Sequence, residues 1–107
     1  MTSFDKREEG FERAFTFQEE FRFKARARRN RRLGDWAAET LGLSSQARQD
    51  YVTTLVDRQV LTPDDETLVA ELAQALKNVE PPISEHRIRR RLDEFESQAA
   101  REIQAGR

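Results

Sequence analysis

The chain has 107 residues, a formal net charge of −1, and equal shares of hydrophobic and charged residues, 36% each. This length allows one domain with a modest core. Because there is no cysteine, disulfides, zinc-cysteine sites and thiol catalysis are excluded. No apolar run approaches the roughly 20 residues that a membrane helix needs, and the N-terminus lacks the apolar segment of a signal peptide. We expect a soluble, cytoplasmic protein that does not insert into a membrane.

The N-terminal third of the chain predicts one long helix from about Asp5 to Leu41. Its apolar residues recur with helical spacing and share one broad face, which Arg22 and Arg29 interrupt. Residues 1–16 contain few groups that could offset the entropy cost of ordering them. We therefore expect the first turns of this helix to be disordered until a partner binds.

A run of seven cations without an acid lies inside this predicted helix. An apolar segment that contains Trp36 follows directly, so we expect the cations to form an ordered surface rather than a free basic tail. Such a surface suits phosphates or an acidic partner, which includes the acidic third helix of the chain itself. Single-stranded nucleic acid, stacked on Phe21 and Phe23, is the weaker interpretation because Phe21 falls on the apolar face and the whole chain is near neutral. The seven cations are Arg22, Lys24, Arg26, Arg28, Arg29, Arg31 and Arg32.

The end of the first helix and the starts of the second and third are marked by residues in the next part of the chain. Gly42 is typical of the turn that ends a helix, and Ser44 or Ser45 then caps a second helix that runs to about Val60. Thr62 and the residues after it predict the start of a third helix, with Thr62 as its cap.

The last two helices are separated by a proline pair. Pro63 suits the first position of the third helix, and Pro81 and Pro82 end that helix because proline cannot donate a backbone hydrogen bond. Ser84 caps the fourth helix. The fold class predicted is all-α, a small antiparallel four-helix bundle with a long, partly disordered N-terminal helical arm. We divide the chain into a mobile arm, residues 1–18, and a four-helix domain, residues 19–107.

The side chains that could support catalysis or metal binding are few. His86 is the single histidine, and no cysteine is present to complete a metal cluster. Asp64, Asp65 and Glu66 are accounted for by the positive end of a helix dipole and lack the spacing of a calcium loop. No glycine-rich phosphate loop and no nucleophile with its base can be nominated. We expect neither an enzyme nor a bound cofactor or metal.

Several stretches together carry a family resemblance. They are Phe4-Asp5-Lys6-Arg7-Glu8, residues 23–38, Leu41-Gly42-Leu43, Tyr51, residues 63–66, Ile83-Ser84-Glu85 and Ile88-Arg89. This combination resembles the zeta-type inhibitor subunit of the alphaproteobacterial F-type ATP synthase, and it covers nearly the whole chain.

The resemblance implies how the chain would act. In that family the arm folds into a helix as it enters a catalytic interface between the alpha and beta subunits of the soluble head, where it blocks rotation in the ATP-hydrolysing direction, while the globular part anchors it outside. The partners implied are the alpha and beta subunits, with the gamma subunit as a further candidate, and the location is the cytoplasm at the membrane-bound synthase. The partner-binding residues carried over are Phe4, Asp5, Arg7, Glu8, Phe11 and Phe15.

The residues themselves are compatible with this role and with two others. Phe4, Phe11 and Phe15 line one side of a segment otherwise covered by charges, a pattern typical of a helix that binds in a groove. One alternative is a nucleotide-responsive regulatory bundle that binds phosphates through its arginines, with weak adenine-nucleotide binding. The other is a helical adaptor for a different partner.

Overall fold

The computed structural model describes the backbone of residues 2–107 and the side chains of residues 17–107. Over this range the chain forms four helices and no strand, which confirms the all-α prediction. The predicted partial disorder of the arm falls largely on residues 1–16, whose side chains lie outside the described residues. The helices are α1 Thr2–Thr40, α2 Ser45–Leu61, α3 Asp65–Leu76 and α4 Glu85–Gln104.

Helix α1 is the central element, since α2 and α4 both pack along it. Arg28 of α1 lies beside Glu102 at the end of α4, whereas Trp36, about two turns later in α1, lies below the guanidinium of Arg91, nearer the start of α4. The two helices therefore run antiparallel, as predicted.

Gly42 ends α1 as the sequence indicates. Its φ of 77° lies in the left-handed region, which glycine adopts without strain. Its N–H donates to the carbonyl of Glu39 at 3.0 Å, and the N–H of Leu43 donates to the carbonyl of Ala38 at 2.9 Å. These two bonds satisfy helix-terminal carbonyls in the Schellman arrangement, and they turn the chain so that α2 can return along α1.

The predicted cap of α3 is wrong by two residues. Asp64 is the N-cap, because its carboxylate accepts hydrogen bonds from the backbone N–H of Glu66 at 3.1 Å and from the hydroxyl of Thr67 at 2.7 Å. Thr62 is instead the C-cap of α2, and Pro63 precedes the cap rather than opening the helix. A charged carboxylate that accepts two bonds at this position satisfies the helix start better than a threonine hydroxyl two residues earlier.

The other helix ends agree with the sequence in part. Ser84 caps α4 as predicted, accepting from the N–H of Arg87 at 3.1 Å. Ser44 stands at the N-cap of α2, but its side chain makes no capping hydrogen bond. Helix α3 ends at Leu76, before the proline pair, where the Leu76 carbonyl accepts a bond from the N–H of Ile83 at 3.4 Å.

The core lies where the C-terminal half of α1 meets the other three helices. Full burial of each large aliphatic side chain there contributes on the order of 2 kcal/mol. A smaller cluster, formed by Ala38, Val52 and Val56, joins α1 to α2. The main cluster consists of Leu33, Ala37, Leu55, Leu68, Val69, Leu72, Leu76, Ile88 and Leu92.

Gly34 of α1 lies against Val52 of α2 with room for a methyl group. A Cβ atom placed on Gly34 would lie 3.5 Å from the Cα atom of Val52, which is ordinary van der Waals contact.

None of the helices within residues 2–107 combines the length and the hydropathy that crossing a membrane requires.

Candidate partner-binding surface on helix α1

Helix α1 extends well beyond the packed part of the chain. It contains 39 residues, which correspond to about 58 Å at 1.5 Å per residue, and the longest dimension of the chain is 65 Å. Among the described side chains the first buried one in α1 is Ala25; before it, residues 17–24 are exposed except for the half-buried Phe21. Residues 17–24 thus span about 12 Å of helix before the first described buried side chain, and the backbone of α1 continues from residue 17 to Thr2 for about 23 Å more.

The predicted partner-binding residues belong to the first part of this helix. Their backbone lies within α1, but their side chains lie outside the described residues, so their assignment stays a prediction. They are Phe4, Asp5, Arg7, Glu8, Phe11 and Phe15.

Arg29, predicted as a surface contact for phosphate or an acidic partner, is fully buried. Its Nη2 and Nη1 atoms donate to the two carboxylate oxygens of Asp65 at 2.7 and 3.1 Å, in the bidentate geometry that suits guanidinium and carboxylate. Nη1 also lies 3.4 Å from Glu96, and Nε donates to the side chain of Asn30 at 3.0 Å. All but one of the N–H donors of the guanidinium therefore have a hydrogen-bond acceptor. Through these bonds Arg29 connects α1 to α3 and α4.

Arg28 and Arg32 share one carboxylate at the end of α4. Glu102 accepts from Arg28 at 3.2 Å and from Arg32 at 2.5 Å, and Arg28 also donates to the carbonyl of Arg107 at 3.1 Å. The hydrogen bond from Arg32, with that from Arg28, lowers the pKa of Glu102 from its ordinary value of 4.5. These two arginines fasten the last turn of α4 to α1.

The remaining four cations, Arg22, Lys24, Arg26 and Arg31, are exposed on α1. Arg22 pairs with Glu19 of the same helix at 3.3 Å, and both side chains are more than half exposed, so this pair contributes little stability. Lys24, Arg26 and Arg31 make no ion pair within the described part of the chain. The basic run therefore divides into three cations that bind the bundle together and four that face outward.

The acidic residues at the start of α3 all have structural partners. Asp64 is the cap, and the hydrogen bond from the hydroxyl of Thr67 lowers the pKa of its carboxyl. Glu66 accepts from both terminal nitrogens of Arg89 at 3.0 and 2.8 Å, which lowers its pKa as well. His86 is exposed in the first turn of α4. Residues 17–107 contain no group of three or more metal-ligating side chains close enough to hold an ion.

Comparison with known protein families gives one match, to the model described as ATPase inhibitor subunit zeta, over residues 1–102. The chain belongs to this family. As a member of this family of inhibitor subunits it has an inhibitory role and associates with ATP synthase. The match includes all of α1 and ends at Glu102, the residue that anchors Arg28 and Arg32. Comparison with curated proteins found no match, and comparison with solved structures found none either.

Sequence analysis of this zeta-family protein named the acidic third helix as a partner for the basic run, and the pair between Arg29 and Asp65 is of that kind, but the analysis did not identify Arg29 as the buried member. The signal was present, since Arg29 interrupts the apolar face of α1 and Asp65 follows the cap of α3. A helical projection shows that Arg29 faces inward but not which carboxylate meets it there. Sequence analysis also did not identify Gln59 as a buried residue, because its hydrogen-bond partner is not visible in a helical projection. Gln59 is 5% exposed, and its side-chain oxygen accepts a hydrogen bond from the backbone N–H of Asp64 at 3.0 Å.

Proposed function

We propose that the chain inhibits ATP hydrolysis by the F-type ATP synthase by inserting residues 2–17 as a helix into a catalytic interface between alpha and beta subunits. The inserted helix blocks rotation in the hydrolysing direction. The gamma subunit is a further contact, and the protein acts in the cytoplasm at the membrane-bound synthase.

The observation that supports this proposal is the projection of α1. An inhibitor that reaches into a cleft needs a rod that leaves its own globular part, and the backbone of α1 continues for about 35 Å on the N-terminal side of Ala25, the first buried residue among the described side chains. Because the same helix continues into the core through Leu33 and Ala37, a force on the arm would be transmitted directly to the bundle. The bundle, residues 19–107, then acts as the anchor outside the cleft, and residues 1–18 act as the mobile element.

The arm carries apolar anchors among charges of both signs. Phe4, Phe11 and Phe15 recur at intervals that place them on one side of a helix. We assign them to the buried side of the inserted arm, with Asp5, Arg7 and Glu8 as the polar contacts around them. Aromatic anchors of this kind contribute a large share of binding energy in helix-in-groove complexes.

ATP hydrolysis by the purified soluble head of an alphaproteobacterial ATP synthase tests the proposal. The full-length chain is compared with a shortened chain that begins at Gln18, which retains every buried residue that the structure describes. We expect inhibition by the full-length chain alone. Equal inhibition by both chains would place the inhibitory element in the bundle, and no inhibition by either would refute the proposed activity.

Single substitutions in the arm test the anchors. We expect Phe11→Ala and Phe15→Ala each to weaken inhibition about 10-fold or more, because each removes a buried aromatic contact. Glu12→Ala is the matched control, since this residue falls on the charged side of the predicted helix. Wild-type potency in both phenylalanine variants, or an equal loss in the control, would contradict the assignment.

A further inference from the structure

A groove between α1 and α2 leaves large apolar side chains in contact with water. Its walls are Phe23 of α1 and Val56 and Val60 of α2, and Pro63 closes one end. Phe23 is 61% exposed and Val60 is 49% exposed, while Leu61, which follows Val60 in the sequence, is 83% exposed. A cluster of exposed aromatic and aliphatic side chains on one face is typical of a protein interaction site. We call this surface the α1/α2 groove.

The floor of the α1/α2 groove is held in place by hydrogen bonds inside the chain. Asn30 and Gln59 line it and are 3% and 5% exposed. Asn30 accepts from Nε of the buried Arg29 at 3.0 Å, and Gln59 accepts from the backbone N–H of Asp64 at 3.0 Å. Because these polar groups are already engaged, the groove is formed before a ligand arrives, which lowers the entropy cost of binding.

The rim of the groove is positively charged. Arg22 and Arg26 line it beside Phe23 together with one acid, Glu19, so two cations face one carboxylate. Within the described residues Arg26 has no carboxylate partner. Arg22 has only the pair with Glu19, which contributes little stability because both side chains are exposed to water. A ligand with apolar side chains at its centre and carboxylates at its edge would therefore complement both the walls and the rim.

We propose that the α1/α2 groove docks a segment with an apolar centre flanked by carboxylates, located on the outside of the same ATP synthase head that receives the arm. This inference rests on the proposed function. Phe23 follows Phe15 by eight residues on one continuous helix, a distance of about 12 Å along its axis. A partner that encloses residues 2–17 therefore lies within reach of the groove, and occupation of both sites would hold the chain at two points.

Two charge-introducing variants test the groove in the full-length chain. Val60→Glu places a carboxylate in the apolar wall, and Arg26→Glu reverses the charge of the rim; both positions are exposed, so neither change disturbs the core. Thr54→Glu on α2 and Arg90→Glu on α4 are matched controls, because they make the same charge changes at exposed positions outside the groove. Far-UV circular dichroism checks that all four variants remain folded.

The measurement is the Kd of each full-length variant for the immobilised soluble head, together with its inhibition of ATP hydrolysis. We expect Val60→Glu and Arg26→Glu to raise the Kd about 10-fold or more, with the controls within about 2-fold of wild type. At saturating concentration the groove variants should still inhibit, because their arm is unchanged. If they bind like wild type, the groove inference is overturned while the inhibitory function stands.

The other outcomes separate the two proposals. If the wild-type chain binds the head without inhibiting it, the inhibitory function fails, and the Kd values of the variants decide the groove alone. If the wild-type chain does not bind, both are overturned.

If the wild-type chain binds, a benzophenone amino acid in place of Leu61 identifies the occupant by photo-crosslinking and mass spectrometry. A crosslinked peptide of the head rich in carboxylates supports the inference; a peptide from a second copy of this chain, or crosslinked nucleic acid, overturns it.

Discussion

The buried ion pair between Arg29 and Asp65 offers a direct test of how α1 is joined to α3. Asp65→Asn removes the negative charge but preserves the shape of the side chain. Arg29 would then remain fully buried with a single carboxylate contact, the longer one to Glu96 at 3.4 Å. A buried cation without its main counter-ion destabilises a fold more strongly than the complete pair stabilises it.

The magnitude follows from the exposure of the two partners. Breaking a fully buried pair costs about 3–5 kcal/mol; here Asp65 is 44% exposed and Glu96 remains, so we expect about 2 kcal/mol. Loss of a negative charge in the first turn of α3 adds about 0.5 kcal/mol through the helix dipole. The sum, about 2.5 kcal/mol, corresponds to a fall in Tm of about 10–20 °C for a domain of this size.

A double-mutant cycle with Arg29→Met separates the two contributions. Methionine fills the buried site without a charge, so Asp65→Asn in that background should cost only the dipole contribution, about 0.5 kcal/mol. The free energy of unfolding is measured by urea titration, monitored by circular dichroism and by the fluorescence of Trp36. An equal cost of Asp65→Asn in both backgrounds would refute the role assigned to the ion pair.

Three further tests, the first of which pairs two glycine substitutions, concern the stability of the bundle. Gly34→Ala should raise the free energy of unfolding by about 1 kcal/mol, since the added methyl group meets Val52 at ordinary contact distance and alanine favours the helix. Gly42→Ala should lower the free energy of unfolding by about 1 kcal/mol, because the φ angle of Gly42 is positive. Both are measured by urea unfolding, and the same sign for both would contradict the backbone assignment. Ser84→Ala should lower the Tm through the loss of about 1 kcal/mol of capping, and an unchanged Tm would show that the cap is not needed.

The last of the three is a pH dependence. Because the pKa of Glu102 is lower in the folded chain than in the unfolded one, its contribution to stability is present above pH 4.5 and is lost as the pH falls through the folded pKa. Glu102→Gln should therefore flatten the decline of stability in acid, measured as Tm against pH. Glu80→Gln is the control, as that carboxylate is exposed and makes no ion pair in the described part of the chain; an equal flattening by both variants would contradict the assignment.

The local features of this protein were determined by its sequence. Helical spacing of apolar residues identified all four helices, because each element needs one apolar face to bury. Gly42 and Ser84 marked a helix end and a helix start through backbone geometry and side-chain capping, which act over a few residues and are independent of the rest of the fold. The family resemblance likewise depended on residues read in order along the chain, and the family match confirmed it.

Contacts between distant residues were decided only by the tertiary structure. Seven cations look alike in sequence, but α3 and α4 bring carboxylates to Arg28, Arg29 and Arg32 and leave the other four facing outward. The α1/α2 groove exists only because α2 folds back along α1. Periodicity shows which face of a helix turns inward, whereas the identity of its partner depends on how the helices are arranged in space.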